Sequence, residues 1–162
     1  RERQRKYNGA MTHISDPHFA ERVRASFARQ DAMALIRATM PVIEHGRTEI
    51  HLPHWQGVEQ QHGYIHGGVV GMIADSAAGY AAMTVVPASA SVLTVEYKMN
   101  LMAPADGDHL VARGSVVRAG RTLVVTRAEV VAIKDGRETP CALMQQTIMV
   151  MHGKSDAKTD KQ

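Results

Sequence analysis

The sequence predicts an α+β fold in which one antiparallel sheet wraps around a single long helix, and three observations carry that prediction. First, HGYIHGGVVGMIADSAAGYAA (residues 62–82) is a glycine-bearing turn feeding a helix with Val69, Val70, Met72, Ile73, Ala77, Ala78, Tyr80, Ala81 and Met83 spread around it. A helix without a polar face is a buried one. Second, the chain beyond Pro87 changes to a two-residue period and holds four strand-like segments. Third, only that helix is available to cover so large a sheet, so the sheet must curl around it, and the uncovered remainder predicts self-association.

The elements follow in order. RERQRKYNGA, residues 1–10, is expected to be an upstream leader outside the fold, with a single domain over 11–153. From Asp16, the spacing of Phe19, Val23 and Phe27 and then Met33, Ile36 and Met40 predicts one or two helices over about 16–40, ending near Pro41. VIEHGRTEIHL alternates about Gly46 and predicts two short paired strands. Residues 53–66 lack periodicity and read as a loop, of a length that is often functional.

Pro87 closes the helical pattern. In SVLTVEYKMNLM, Leu93, Val95, Tyr97, Met99 and Leu101 are expected on one face, with Thr94, Glu96, Lys98 and Asn100 on the other. GDHLVARGSVV and TLVVTRAEVVAI form a hairpin across residues 118–121, and Asp135-Gly136 turns the chain into PCALMQQTIMVMH. The polar tail, 154–162, is expected to be disordered.

Composition narrows the function classes. The formal net charge of +3 equals the contribution of Arg1, Arg3, Arg5 and Lys6 against Glu2, so the remainder is neutral and no nucleic-acid surface is expected. No run approaches the roughly 20 apolar residues of a membrane-spanning helix, so a cytoplasmic protein without a membrane partner is expected. Cys141 is the single cysteine. It forms no intrachain disulfide, and with no diagnostic His motif beside it, it reads as core packing rather than a nucleophile. His51, His54, His62 and His66 invite a metal site; His62 and His66 have i, i+4 spacing, but Gly63 and Gly67 intervene in what reads as a loop, so none is expected. The chain has no GxxxxGK[ST] loop to indicate a nucleotide hydrolase.

The functional signal lies in the helix. Asp75 is a lone carboxylate on an apolar helix, an expensive placement unless something repays it. HGG, then Asp nine residues after His66, then a strand ending in LMAPA, resembles the hotdog-fold acyl-CoA thioesterases of the phenylacetate-pathway (PaaI-like) group. The likeness spans roughly residues 41–152. It implies a sheet around a central helix, a homodimer with two sites at its interface that often pairs into a tetramer, and hydrolysis of acyl-CoA with no cofactor beyond the CoA of the substrate.

Thioester hydrolysis needs a donor for the developing oxyanion and a carboxylate that attacks the carbonyl carbon or deprotonates water. The Gly67 N–H at the helix start suits the first, with Gly68 beside it as a substrate contact, and Asp75 suits the second. Asp75 lies eight residues past Gly67, about 12 Å along a helix. If both act on one thioester, they come from different subunits. The resemblance points further to His66 beside the oxyanion glycine, to Gln60, with Gln61 adjacent, for the carbonyl or the attacking water, and to Thr94 for placing water or the carboxylate. Arg118 and Arg121, flanking Gly120, are candidates for the CoA phosphates. The acyl group is not legible, although the alanine- and methionine-rich helix offers an adaptable apolar pocket. A hotdog dehydratase or hydratase, and a noncatalytic acyl-CoA-binding protein, are the alternatives.

Overall fold

A computed structural model describes residues 16–154 and residue 156. The expected leader, and all of the expected tail except Lys154 and Asp156, lie outside the described residues. Two short helices, α1 (Phe19–Phe27) and α2 (Asp31–Leu35), precede strands β1 (Thr39–Glu44) and β2 (Arg47–Pro53). A loop with a short 3-10 turn leads into helix α3 (Gly67–Met83), followed by β3 (Ala90–Leu101), β4 (His109–Ala119), β5 (Leu123–Lys134) and β6 (Arg137–His152). All pairings are antiparallel, in the order β1-β2-β4-β5-β6-β3. This single sheet around one long helix is the hotdog architecture that the resemblance implied.

The helical region ends earlier than expected. Arg37 adopts φ 62°, which stops α2, and Pro41 lies inside β1 rather than terminating a helix. Proline removes a ladder donor, and β1 tolerates it because it is an edge strand whose register shifts between Thr39 and Val42.

Packing on α3 fixes the layers. Ile73, Ala74, Ala77 and Ala78 are fully buried against Ile50, Leu52, Leu110, Ala112, Ala128 and Val130. The β4 backbone crosses α3 so closely that a Cβ on Gly114 would lie 2.2 Å from the Ala77 carbonyl oxygen. Thr48 Oγ1 donates to that same carbonyl at 2.6 Å. At the helix C-terminus, buried Thr84 Oγ1 donates to Ala81 O and accepts from Gly46 N, both at 2.7 Å, tying α3 to the β1–β2 turn. Arg22 clamps α1 over the same end: its guanidinium donates to Asp16 (2.8 Å), Met83 O (2.9 Å) and Val86 O (3.1 Å).

Two features differ from the simple periodic reading. Gly68, Met72, Asp75 and Gly79 are exposed or half-buried, so α3 has one stripe at i, i+4, i+7 and i+11 that its own sheet does not cover. Asp75 is therefore half-buried rather than enclosed. In β3 the register against β6 shifts between Thr94 and Glu96. Val92 and Thr94 face α3 before the bulge, Met99 and Leu101 after it, and Leu93 is 60% exposed. The expected division of that strand into an apolar face and a polar face is thus overturned, because one extra residue reverses the side-chain alternation.

Candidate active site

The bulge delivers Thr94 to Asp75. Thr94 Oγ1 donates to Asp75 Oδ1 at 2.8 Å, and Gln146 Nε2 donates both to the same carboxylate oxygen and, at 2.8 Å, to Thr94 Oγ1. Gln146 is fully buried in the middle of β6. Two residues, Thr94 from β3 and Gln146 from β6, thereby fix one oxygen of the α3 carboxylate. Asp75 Oδ2 has no partner among the described residues. A carboxylate with one oxygen pinned and the other unpaired has a fixed orientation and a free lone pair, as a nucleophile or general base needs.

Asp75 and Thr94 line a cavity of about 390 Å³ between α3, β3 and the end of α1. Ser26, Arg29 and Gln30 contribute its N-terminal wall. Gln30 Oε1 accepts from Ser76 Oγ at 3.4 Å, Ser26 Oγ lies 3.3 Å from the Tyr80 hydroxyl, and Arg29 pairs with Asp156 at 2.8 Å. Burial pushes the Tyr80 phenol up, so it keeps its proton.

Gly67 lies elsewhere. His66 is the N-cap of α3, with ψ 135°, and its Nδ1 accepts from Gly68 N at 2.8 Å. That bond places the ring proton on Nε2 and occupies the Gly68 amide, so Gly68 has no free N–H to offer a substrate. The Gly67 N–H, in contrast, has no acceptor among the described residues. It stands at the positive end of a 17-residue helix. Gly67 and Gln60 line a second cavity, of about 440 Å³, with Leu101, Pro104 and Cys141. Gln60 is half-buried and lines this cavity, whereas Gln61 is exposed and does not. Gln60 Oε1 accepts from His62 N, folding the loop onto itself.

The predicted residues thus fall into two groups: Asp75 with Thr94, and Gly67 with His66 and Gln60. Neither of these two cavities holds both groups. Arg118 and Arg121 stay at the β4–β5 turn and line neither cavity. Cys141 is buried, donates to Val130 O at 3.4 Å, and has its thiol pushed up by burial, which suits packing rather than nucleophilic attack. His54 is held by Gly107 O (2.9 Å) and Glu59 (3.0 Å), and among the described residues no group of three His, Cys, Asp or Glu side chains is placed to hold a metal ion.

Gln146 is the site residue that sequence reasoning missed. Its signal was available: on the inward face of β6, Ala142, Met144, Ile148 and Val150 alternate with one amide in their midst. Such a residue needs a buried partner.

Comparison with known proteins agrees with this fold. A model of the thioesterase superfamily matches residues 62–139, which include Gly67, Asp75 and Thr94 but neither Gln60 nor Gln146. The solved structure of a thioesterase family protein from Silicibacter pomeroyi is 43% identical, with a TM-score of 0.82, covering 83% of this chain and 99% of that one. The PaaI protein of the Escherichia coli phenylacetic acid degradation operon shares the fold, with a TM-score of 0.76 at 17% identity over 88% of this chain and 99% of its own. A Saccharolobus solfataricus protein provisionally named an esterase is 32% identical over 87 residues, 54% of this chain and 61% of that protein. One from Halobacterium salinarum, named likewise, is 37% identical over 75 residues, 45% and 49% of the two chains. The chain spans about half to three-fifths of the length of these curated relatives.

Proposed function

The chain belongs to the thioesterase superfamily, and from that premise we propose that it hydrolyses acyl-CoA to free acid and CoA at sites shared between two subunits. The observation that carries this reading is the state of Asp75, whose Oδ1 is tied by Thr94 and Gln146 while Oδ2 is unpaired on a residue that lines a cavity. Asp75 attacks the thioester carbonyl carbon, or takes a proton from a water that does so. The Gly67 N–H of the facing subunit donates to the oxyanion that forms. Gln60, in the same cavity as Gly67, presents its amide to the carbonyl or the water, and His66 holds the turn that aims the Gly67 amide. The carbon–sulfur bond then breaks and CoA leaves as a thiolate that takes up a proton; where Asp75 is the attacking group, water hydrolyses the acyl–Asp75 anhydride so formed, releasing the acid and restoring the carboxylate. The mechanism calls for no metal or further cofactor.

Two observations support sharing between subunits. Gly67 and Asp75 are separated by about 12 Å along one helix and open into different cavities. Among the described residues the outer edge of β3 is unpaired along 12 residues and carries Leu93, Val95, Tyr97 and Leu101 at half exposure or more, a long apolar edge that a second copy would cover. A homodimer built on that edge, and pairing of such dimers, follow. In such an assembly, Arg118 and Arg121 meet CoA phosphates only where a neighbouring subunit brings them to a cavity. A reduced lone thiol and an acyl-CoA substrate suit a cytoplasmic setting.

The test is thiol release from a panel of acyl-CoAs. Asp75→Asn is expected to abolish release while leaving CoA binding and the oligomer intact, and unchanged turnover would contradict the mechanism. A hydratase would consume an enoyl-CoA without releasing thiol, and a binding protein would take up acyl-CoA without turnover.

A further inference from the structure

Gly79 is a glycine in the interior of α3 for which the protein itself supplies no reason. Elsewhere on the helix, a Cβ would meet Leu101 at Gly67 (2.9 Å), the His66 ring at Gly68 (3.0 Å) and Met99 at Gly71 (3.3 Å). At Gly79, apart from the backbone of α3 itself and the two chain neighbours, no atom among the described residues lies within 4 Å of the Cβ position. Glycine weakens a helix interior relative to alanine, so a glycine facing empty space forgoes stability without any gain in packing.

The empty space is placed where a substrate would use it. Gly79 lies four residues beyond Asp75, one turn along the same face and about 6 Å further. Both line the 390 Å³ cavity, to which Tyr80, Met83, Val92 and Ile148 contribute apolar surface beside the polar Ser26, Arg29 and Gln30.

We infer that the space over Gly79 is the acyl-chain subsite, that it takes an apolar tail of medium length, and that Gly79 sets the length admitted. With carbon–carbon bonds of about 1.5 Å, an extended alkyl chain advances roughly 6 Å in about five bonds. A tail whose carbonyl is held at Asp75 therefore reaches Gly79 at about its fifth or sixth carbon. Acyl groups shorter than that never meet the position. Longer ones cross it, and a side chain there would stop them. The subsite rests on the thioesterase reading for the identity of the head group, but not for its own test.

The test uses non-hydrolysable S-alkyl-CoA thioethers (ethyl, butyl, octyl and decyl) titrated by calorimetry against the full-length wild type and Gly79→Leu, with oligomeric mass measured alongside. In the wild type, affinity is expected to rise by about fourfold per methylene buried, through the octyl probe. In Gly79→Leu the rise stops after butyl, so the octyl-to-butyl affinity ratio falls by about 250-fold, the equivalent of four methylenes left outside. The mass stays unchanged. Should Gly79→Leu fail to fold, Gly79→Ala carries the same test, with a ratio lower by about fourfold and a raised melting temperature.

An unaltered ratio in a folded variant would overturn the inference. So would a wild-type affinity that ignores chain length. Equal weakening of every probe together with a fall in mass would mark Gly79 as a contact between subunits and would overturn it as well. Because thioether binding involves no turnover, absence of thiol release from acyl-CoA would contradict the hydrolase reading while leaving the subsite standing.

Discussion

Replacing Gln146 with leucine separates the fold from the chemistry. The amide nitrogen donates to Asp75 Oδ1 and Thr94 Oγ1, while its carbonyl oxygen is buried without a partner. Losing a hydrogen bond to a charged group costs about 1.5–3 kcal/mol and a neutral one about 0.5–1.5 kcal/mol. Removing an unpaired buried carbonyl returns about 1–3 kcal/mol. These terms partly cancel, and at mid-range they leave a net loss of about 1.3 kcal/mol. Catalysis has no such offset. If the donor to Asp75 is worth about 1.5–3 kcal/mol in holding the reactive carboxylate, kcat falls about 10- to 150-fold. KM should barely move, because Gln146 lines neither cavity. The assay is steady-state thiol release beside urea unfolding of the same preparation. A variant that keeps its stability and its kcat within about twofold would refute the role given to this hydrogen bond.

Two further outcomes test the surroundings of the site. Arg22→Ala removes donors to Asp16, Met83 O and Val86 O, and should lower unfolding stability by about 2–3 kcal/mol; Arg22→Lys recovers little, since an ammonium does not reproduce the planar fork. Burial holds the His45 imidazole below its ordinary 6.5, with Nε2 unpaired and the ring edge-on to Phe19 at 5.7 Å. The folded state therefore binds this proton less readily than the unfolded chain, so the associated stability is present above pH 6.5 and is lost as pH falls through that value toward the folded pKa. The melting temperature should drop between about pH 7.5 and about pH 5.5, and His45→Phe should flatten that drop.

The legible parts of the fold were those with local causes. The apolar girth of α3, the turn at Gly46 and the Asp135-Gly136 turn, both of whose residues have positive φ, are set by their own side chains. The separation of Gly67 from Asp75 also follows from helix rise alone, and the structure places the two in different cavities. The β3 bulge was not legible, because an extra residue is defined by the partner strand β6 rather than by β3 itself. It turned a threonine expected on a polar strand face into a ligand of the carboxylate. Gln146 escaped for a related reason: its partner Asp75 is 71 residues away, and an alternating strand read in isolation accommodates one amide as readily as another core residue. Pro41 misplaced the end of the helices because a proline signals both a helix stop and an edge strand, and only sheet order separates the two.

The central claim is that one thioester site draws Asp75 from one subunit and the Gly67 N–H from another, and subunit complementation tests it directly. Gly67→Pro deletes the N–H at the first helical position, where the fixed φ of proline is tolerated; His66 already has the extended ψ of 135° that a following proline requires, and the exposed Leu101 side chain, 2.9 Å from the Cβ position, has room to move aside. Asp75→Asn removes the carboxylate. Each variant alone should be inactive. After co-refolding in equal amounts, half of the dimers are mixed and each mixed dimer has one intact site of two, so activity should return to about a quarter of the wild-type level. Absence of any recovery, with mixed dimers shown to form, would contradict a shared site.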